Sequence, residues 1–417
     1  MAEYVVAGGA RLQGSIEVSG AKNAILPIMA ASLLTGGTSV ISAVPQLQDV
    51  LMMREVLEYL GAKVLLEDKT IVIEGAGVAP TAVGEQLMRQ LRASNLVMGA
   101  LLSRFKQVKV AYPGGCDIGS RPMDLHLKGF ASLGAAISEK HGFIEAVAER
   151  LQGTEIHLDF PSVGATENLM VAATLAQGVT TIRNAAREPE IIDLQNYLNK
   201  LGAKIKGAGL DVIKIEGVNR LNSCEYFLIP DRIEAGTHML AAAITQGDLL
   251  LTNVIPEHVA PVSAKLKEAG AEVVAQGDTI RVRSRKRLNS VDCKTLPYPG
   301  FPTDMQPQFM ALMTVADGTS IITESIFENR FKHVGELRRM GAHIKLEGKA
   351  TIIEGVAGLS GAVVEATDLR AGASLLLSGF AADNTTIIKN IHHLDRGYEK
   401  LDEKYRAVGA KITRRSS

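Results

Sequence analysis

With 417 residues, 46% of them hydrophobic and 22% charged, the chain is too long for one ordinary core and too apolar to be disordered. Lys plus Arg and Asp plus Glu both number 45, so the formal net charge is zero; a general nucleic-acid or membrane-surface binder is disfavoured, and any anion site must be local. Aromatic residues are 4% with no Trp, and the cysteines are only Cys116, Cys224 and Cys293, which argues against a base-stacking platform, a CxxC zinc site and a disulfide framework.

The first residues lack a basic segment followed by an apolar one. The longest apolar stretch, Ala24 to Leu34, is too short to span a bilayer and contains Pro27. A cytoplasmic protein without membrane attachment is expected. From there one pattern recurs along the chain. A run with helical spacing ends in an apolar residue followed by Gly-Ala, and an alternating strand follows. The glycines are Gly61, Gly134, Gly202, Gly270, Gly341 and Gly409, at intervals of 68 to 73 residues. Glycine is the expected helix stop there, because it enters the left-handed region without a Cβ clash. Half a unit away a second phrase repeats: an apolar helix, a turn and a β-branched strand. Gly37, Gly178, Gly247 and Gly318 mark those turns, with Asn384 in place of a fifth. The chain thus reads as six repeated units of about 70 residues, each with two helices and several strands. Six such units can build two three-unit domains in which apolar helices form the core and sheets lie outside. That is the reverse of a doubly wound fold, and neither a GxGxxG after a strand nor a P-loop occurs.

The second-phrase helices begin with unusual charges. They start near Lys22-Asn23, Arg92, Thr166-Glu167, Asp231, Asp304 and Asp368 with Arg370. A helix N-terminus is already partially positive, so Lys22, Arg92 and Arg370 add an unfavourable charge of about 0.3–1 kcal/mol each unless an anion is bound. Either they are solvated surface cations, or they line one rim of an anion site. Asp231, Asp304 and Asp368 can each be an ordinary N-cap; alternatively one of them serves as a proton acceptor. Between Tyr112 and Leu125 the prolines and glycines make a loop with Cys116 at its tip near Arg121. A thiol so placed is expected to be reactive, whereas Cys224 and Cys293 are expected to be small buried hydrophobes.

These segments together carry a resemblance. Gly20 to Asn23, Pro113 to Cys116 with Arg121 to Leu125, Ser162 to Thr166, Arg187 to Glu190, Pro230 to Glu234, Phe301 to Gln306, Phe327 to Arg330, Thr367 to Ala371 and Asp395 to Tyr398 resemble, in family order, the UDP-N-acetylglucosamine 1-carboxyvinyltransferases of the enolpyruvyl transferase family. The Pro-Gly-Gly-Cys loop is the specific part; the EPSP synthases share the Lys-Asn start but not this loop. The resemblance implies an α/β fold, the two-domain inside-out α/β barrel. One domain would span residues 20–230 and carry the cysteine lid loop; residues 1–19 and 231–417 would form the other, with the active site in the cleft between them.

The implied reaction moves the enolpyruvyl group of phosphoenolpyruvate to the 3′-hydroxyl of UDP-N-acetylglucosamine by addition and elimination, releasing phosphate, the first committed step of peptidoglycan synthesis. No cofactor and no metal are implied. Lys22, Arg121, Arg370 and Arg396 would clamp the donor, with Asn23 alongside. Cys116 would donate the proton to carbon 3, can carry a covalent phosphoenolpyruvate adduct, and makes the protein a fosfomycin target. Asp304 would take the sugar hydroxyl proton. Arg92, Arg121, Pro122, Met123, Asp124, Leu125, Ser162, Val163, Gly164, Asp304 and Ile326 would contact the UDP sugar, and Arg330 is a further substrate-binding residue. Phe160 stands where some family members have Lys near the diphosphate, which puts that one contact in doubt. The alternatives are a different acceptor, such as shikimate 3-phosphate, or a non-catalytic UDP-sugar-binding regulator.

Overall fold

The computed structural model describes residues 2–90, 92–112 and 123–415. Its residues divide into two compact units. The inserted unit comprises residues 20–112 and 123–229 of the described chain; the terminal unit comprises residues 2–19 and 230–415, so Pro230 groups with the terminal unit.

Each unit is organised by three mostly apolar helices that are buried along most of their length. In the inserted unit these are α1 (Lys22–Ala31), α2 (Val97–Phe105) and α3 (Val163–Ala173). In the terminal unit they are α4 (Arg232–Ile244), α5 (Gln306–Thr314) and α6 (Leu369–Ala381). Every residue from Ala24 to Ala31, from Ala165 to Ala173 and from Ile233 to Ile244 is buried. Such helices can only be central, and within each unit the three pack on one another. Small residues allow the approach: a Cβ on Gly99 of α2 would lie 2.4 Å from the backbone oxygen of Asn168 in α3.

The sheets face outward. Their strands alternate buried and more exposed residues, as in Val212–Glu216 and Thr279–Arg283, the pattern of a sheet with one face on the core and one in water. One order of strands recurs. In the third repeat of the inserted unit, Val179–Arg183 pairs parallel with Glu155–His157 on one side and antiparallel with Val212–Glu216 on the other. Lys204–Lys206 then forms a hairpin with Val212–Glu216. The same arrangement surrounds Thr38–Ser42, Asp248–Thr252, Thr319–Thr323 and Thr385–Lys389. It surrounds Gln107–Ala111 as well, with Val83 supplying a single parallel bridge to Val110. The strands form separate sheets, and no closed barrel of strands is present among the described residues.

Three repeats are completed by distant chain. Cys224–Phe227 runs beside Thr38–Ser42. Gln13–Glu17 runs beside Asp248–Thr252, and Glu3–Ala7 lies between Thr385–Lys389 and Lys411–Arg415. The N-terminal strands therefore belong to the terminal unit.

All six glycines of the Gly-Ala phrase have positive φ, from 90° to 108°. Each closes a helix by the same pair of bonds. The Gly N–H reaches back three residues, as in Gly341 to Arg338, and the Ala N–H five, as in Ala342 to Leu337. The second-phrase turns are less uniform. Gly178, Gly318 and Asn384 are left-handed, but Gln246 takes that conformation in place of Gly247. Gly247 is required by contact instead: a Cβ there would lie 2.2 Å from the carbonyl oxygen of Leu12. Cys293 is buried as expected, whereas Cys224 is only half-buried, because it lies on the edge strand of its sheet. Among the described residues, no helix is long and apolar enough to cross a membrane.

Two glycine substitutions should separate conformational from steric cost. Gly341 has open space around it, so Gly341→Ala is expected to cost only the left-handed strain, about 1 kcal/mol. Gly99→Ala must push α2 from α3, and overpacking of this kind costs about 1–3 kcal/mol. Denaturant unfolding of both variants checks the order; an equal or larger loss for Gly341→Ala contradicts it.

Candidate active site

The three aspartates at the starts of the second-phrase helices behave differently. Asp231 caps α4, accepting from the N–H groups of Ile233 (2.7 Å) and Glu234 (3.0 Å). Asp368 caps α6, accepting from Arg370 N–H (2.9 Å) and Ala371 N–H (3.0 Å). Asp304 lies in the short 3-10 turn Thr303–Met305 leading into α5, and its carboxylate receives side chains. Arg330 Nη2 donates to Oδ1 at 2.7 Å; Arg370 Nη2 and Nε donate to Oδ2 at 2.9 and 3.2 Å. Both arginines are buried while the Asp304 side chain is 25% exposed.

Burial pushes the Asp304 carboxyl up, but Arg370 and Arg330 outweigh it and hold it well below the usual carboxylate range. Burial alone would lower the pKa of Arg370; Asp304, then Tyr398 and Asp231, raise it instead. In direct contact, two guanidinium groups share one carboxylate. Arg370 stands in the first turn of α6, where the helix end is itself positive. This is the electrostatics of a place for a second anion.

Arg330 is aimed by the segment that carries it. Its Nη1 donates to Thr303 Oγ1 (3.2 Å), whose hydroxyl donates to Glu324 Oε2 (2.8 Å). Glu324, fully buried, also accepts from Thr295 Oγ1 (2.8 Å) and from the N–H groups of Ile326 (2.8 Å) and Phe327 (3.2 Å). One carboxylate thus fixes the backbone at Ile326 and, through Thr303, the guanidinium of Arg330. Arg396 is half-buried, directly after the short helix His392–Asp395.

In the inserted unit, Lys22 opens α1, whose N-cap Ala21 provides no side-chain bond. Lys22 is not a solvated surface cation: its Nζ lies 2.9 Å from Asp49 Oδ2, with side-chain exposures of 12% and 2%. Asn23 beside it is half-buried. Ser162 caps α3, accepting from Ala165 N–H at 3.4 Å, and Val163 and Gly164 form its first turn. The segment Met123 to Leu125 enters the helix Asp124–Ser132; Met123 is buried and Asp124 exposed. Asn168 joins these pieces. It donates to Asn95 O (3.1 Å), lies 2.9 Å from His126 Nδ1, and accepts from Gly99 N–H (2.9 Å). Arg92 opens the 3-10 turn Arg92–Leu96, but its side chain lies outside the described residues, as do Cys116, Arg121 and Pro122 altogether. Phe160 is exposed, and next to it Asp159 pairs with Lys128 at 3.1 Å.

The expected site residues therefore fall into two groups. Lys22, Asn23 and the segments 123–125 and 162–164 belong to the inserted unit; Asp304, Ile326, Arg330, Arg370 and Arg396 belong to the terminal unit. Residues not foreseen include Asp49, which meets Lys22, and Glu324, which holds the Ile326–Arg330 segment. A buried acid in the first helical turn reads in sequence as ordinary helix chemistry, so only its burial reveals the pairing.

Acid should unfold the terminal unit in two stages. Burial and Arg330 hold His333 neutral to about 4, although Asp368 opposes them. Its unfolded value lies near 6.5, so its share of stability is complete above about pH 6.5 and is lost as pH falls toward 4. Asp304 is depressed in the same sense from about 3.9, so its share is complete above about pH 4 and is lost below it. Asp304→Asn is expected to lower stability at pH 7 by about 3–5 kcal/mol, since two buried arginines lose their carboxylate, and to flatten the decline below pH 4 only. Unfolding midpoints from pH 7 to pH 3 check this; a parallel curve for the variant contradicts it.

A family model for EPSP synthase (3-phosphoshikimate 1-carboxyvinyltransferase) matches residues 6–405. UDP-N-acetylglucosamine 1-carboxyvinyltransferase 1 of Carboxydothermus hydrogenoformans is 56% identical over 414 residues, covering 99% of this chain and 98% of that protein. The protein of the same name from Symbiobacterium thermophilum is 56% identical over 417 residues, covering 99% and 95%. Among solved structures, the enolpyruvyl transferase NikO from Streptomyces tendae matches with a TM-score of 0.90 at 25% identity, covering 100% of this chain and 99% of that one. EPSP synthase from Acinetobacter baumannii matches with a TM-score of 0.75 at 19% identity, covering all of both chains, a likeness of fold alone. The chain has the enolpyruvyl transferase fold, and it belongs to the enolpyruvyl (1-carboxyvinyl) transferase family, alongside the UDP-N-acetylglucosamine 1-carboxyvinyltransferases.

Proposed function

We propose that this protein is an enzyme that transfers the enolpyruvyl group of phosphoenolpyruvate to the 3′-hydroxyl of UDP-N-acetylglucosamine and releases phosphate, the reaction that commits the sugar to peptidoglycan and so serves wall growth, cell shape and division. It works on small molecules in the cytoplasm. The observation that carries the reading is Asp304 between two buried arginines, in a chain 56% identical to relatives named for this transfer.

The chemistry asks for what the residues offer. Phosphoenolpyruvate brings a phosphate and a carboxylate, so it needs several cations; Lys22, Arg121, Arg370 and Arg396 are the clamp, with Arg330 and Asn23 beside them. In the addition step the sugar 3′-oxygen bonds to carbon 2 of phosphoenolpyruvate, its proton passes to Asp304, and carbon 3 takes a proton from the Cys116 thiol. In the elimination step carbon 3 returns a proton, the bond from carbon 2 to the phosphate oxygen breaks, and phosphate leaves. Cys116 is also the position at which phosphoenolpyruvate can attach covalently. Asp304 starts as a weak base because two guanidinium groups hold its charge. An arriving carboxylate or phosphate competes for those groups, and the basicity of Asp304 rises as it does so. The UDP sugar is held by Arg92, Arg121 to Leu125, Ser162 to Gly164 and Ile326, and Lys128 is the cation next to Phe160 where the diphosphate would pass.

Phosphate release from phosphoenolpyruvate should require UDP-N-acetylglucosamine and should not occur with shikimate 3-phosphate; turnover with the latter alone rejects the reading. Asp304→Ala should lower kcat by about 100-fold or more while UDP-N-acetylglucosamine still binds. Fosfomycin should add its mass at Cys116, and Cys116→Asp should resist it while keeping some turnover. Labelling at Cys224 instead would count against the role given to Cys116.

A further inference from the structure

Behind Asp304 and Arg370 lies a buried polar knot that no part of the reaction above uses. At its centre is the hydroxyl of Tyr398, a residue only 3% exposed. It lies 3.2 Å from Arg370 Nη1, 3.0 Å from Thr237 Oγ1 and 3.3 Å from Gln308 Nε2. Thr237 is in α4, Gln308 in α5 and Arg370 in α6. One hydroxyl therefore touches all three central helices of the terminal unit, and it does so near their N-terminal ends.

The direction of each bond can be assigned. The Thr237 hydroxyl donates to the carbonyl of Ile233 at 2.8 Å, so its oxygen must accept from Tyr398. Arginine can only donate, and Gln308 donates through Nε2. Tyr398 thus gives its one proton to Thr237 and takes one N–H each from Arg370 and Gln308, which fills the capacity of a phenol. Burial raises the phenol pKa, so the proton stays in place. The guanidinium of Arg370 also lies over the Tyr398 ring, 5.5 Å from its centre. Three of the five N–H groups of Arg370 are committed in this way, two to Asp304 and one to Tyr398, and the plane of the guanidinium is fixed from two sides.

We propose that Tyr398 is a positioning residue of the transferase site, holding Arg370 in register with Asp304 and with the incoming anionic donor. The proposal rests on the functional reading above. It separates Tyr398 from the residues that touch substrate: the phenol acts through Arg370.

The test is Tyr398→Phe, which keeps the ring and removes the hydroxyl. The KM for phosphoenolpyruvate should rise and kcat/KM for it should fall by about tenfold, the scale of one hydrogen bond to a charged group. The KM for UDP-N-acetylglucosamine should stay within about twofold. The acid limb of kcat/KM should move to higher pH, because a loosened Arg370 depresses Asp304 less. Constants for both substrates within about twofold of the parent, with an unmoved acid limb, overturn the proposal. So does a loss of thermal stability alone. Should Tyr398→Phe fail to fold, Thr237→Val removes the acceptor that orients the phenol and must show the same split. An inactive parent would reject the functional reading instead. In that case 15N NMR of the Arg370 guanidinium, identified by its loss in Arg370→Lys, decides for Tyr398: its N–H groups should exchange with water about tenfold faster in Tyr398→Phe, and unchanged exchange overturns the assignment.

Discussion

A helix buried around its whole circumference can meet water or ligand only at its ends. That constraint governs both units of this protein. The sides of α1 to α6 are committed to each other and to the sheets, so polar chemistry is pushed to their termini. The N-terminal end is the one with four unsatisfied N–H groups and a partial positive charge. An apolar helix core therefore produces an anion-seeking rim as a by-product of packing, and Lys22 and Arg370 strengthen what the backbone begins.

Concentrating positive charge at a buried helix end is costly unless it is balanced. The terminal unit balances it with Asp304, the inserted unit with Asp49. The two solutions differ. Lys22 meets Asp49, whereas Asp304 meets two arginines. In direct contact two guanidinium groups meet the one carboxylate of Asp304, with Asp231 acting on Arg370 and Glu324 reaching Arg330 through Thr303. The difference follows from where the second arginine comes from. Arg330 reaches Asp304 because Glu324 and Thr303 fix the segment between the strand Thr319–Thr323 and the helix His333–Arg339.

What was legible in the sequence follows from the range of the forces involved. The six Gly-Ala stops could be read because a left-handed helix cap is a local requirement that few residues but glycine meet. The six buried helices could be read because their sequences are mostly apolar and suit a central place. Position before an apolar helix did not by itself separate Asp231, Asp304 and Asp368; the resemblance pointed to Asp304, and tertiary contact shows that the other two are caps while Asp304 is an ion-pair partner. That Tyr398, Thr237 and Gln308 meet could not be read, since they are polar residues on segments far apart in the chain, although Asp395 to Tyr398 is among the segments that carry the resemblance. The pairing of Glu3–Ala7 with Thr385–Lys389 spans nearly the whole sequence and leaves no local mark. The reason for Gly247, a close approach to the Leu12 carbonyl, left no local mark either.

The tight pairing of Asp304 at first looks like a poor arrangement for a base, since a carboxylate held far below its usual range accepts protons reluctantly. The objection weakens once the exchange of partners is considered. The guanidinium groups that suppress Asp304 are the same ones an anionic donor would recruit, and each bond transferred to the donor removes part of the suppression. Base strength is then lowest when the donor is absent, and a water or stray hydroxyl meets an inert carboxylate. On the proposed function it would rise when the donor is bound and a proton acceptor is needed. Such coupling requires that Arg370 rotate little, so that gaining one anion means loosening the other. A freely swinging arginine could serve both without exchange. On the proposed function, the rigid seat that Tyr398 and the three helices give Arg370 would make the two anions compete.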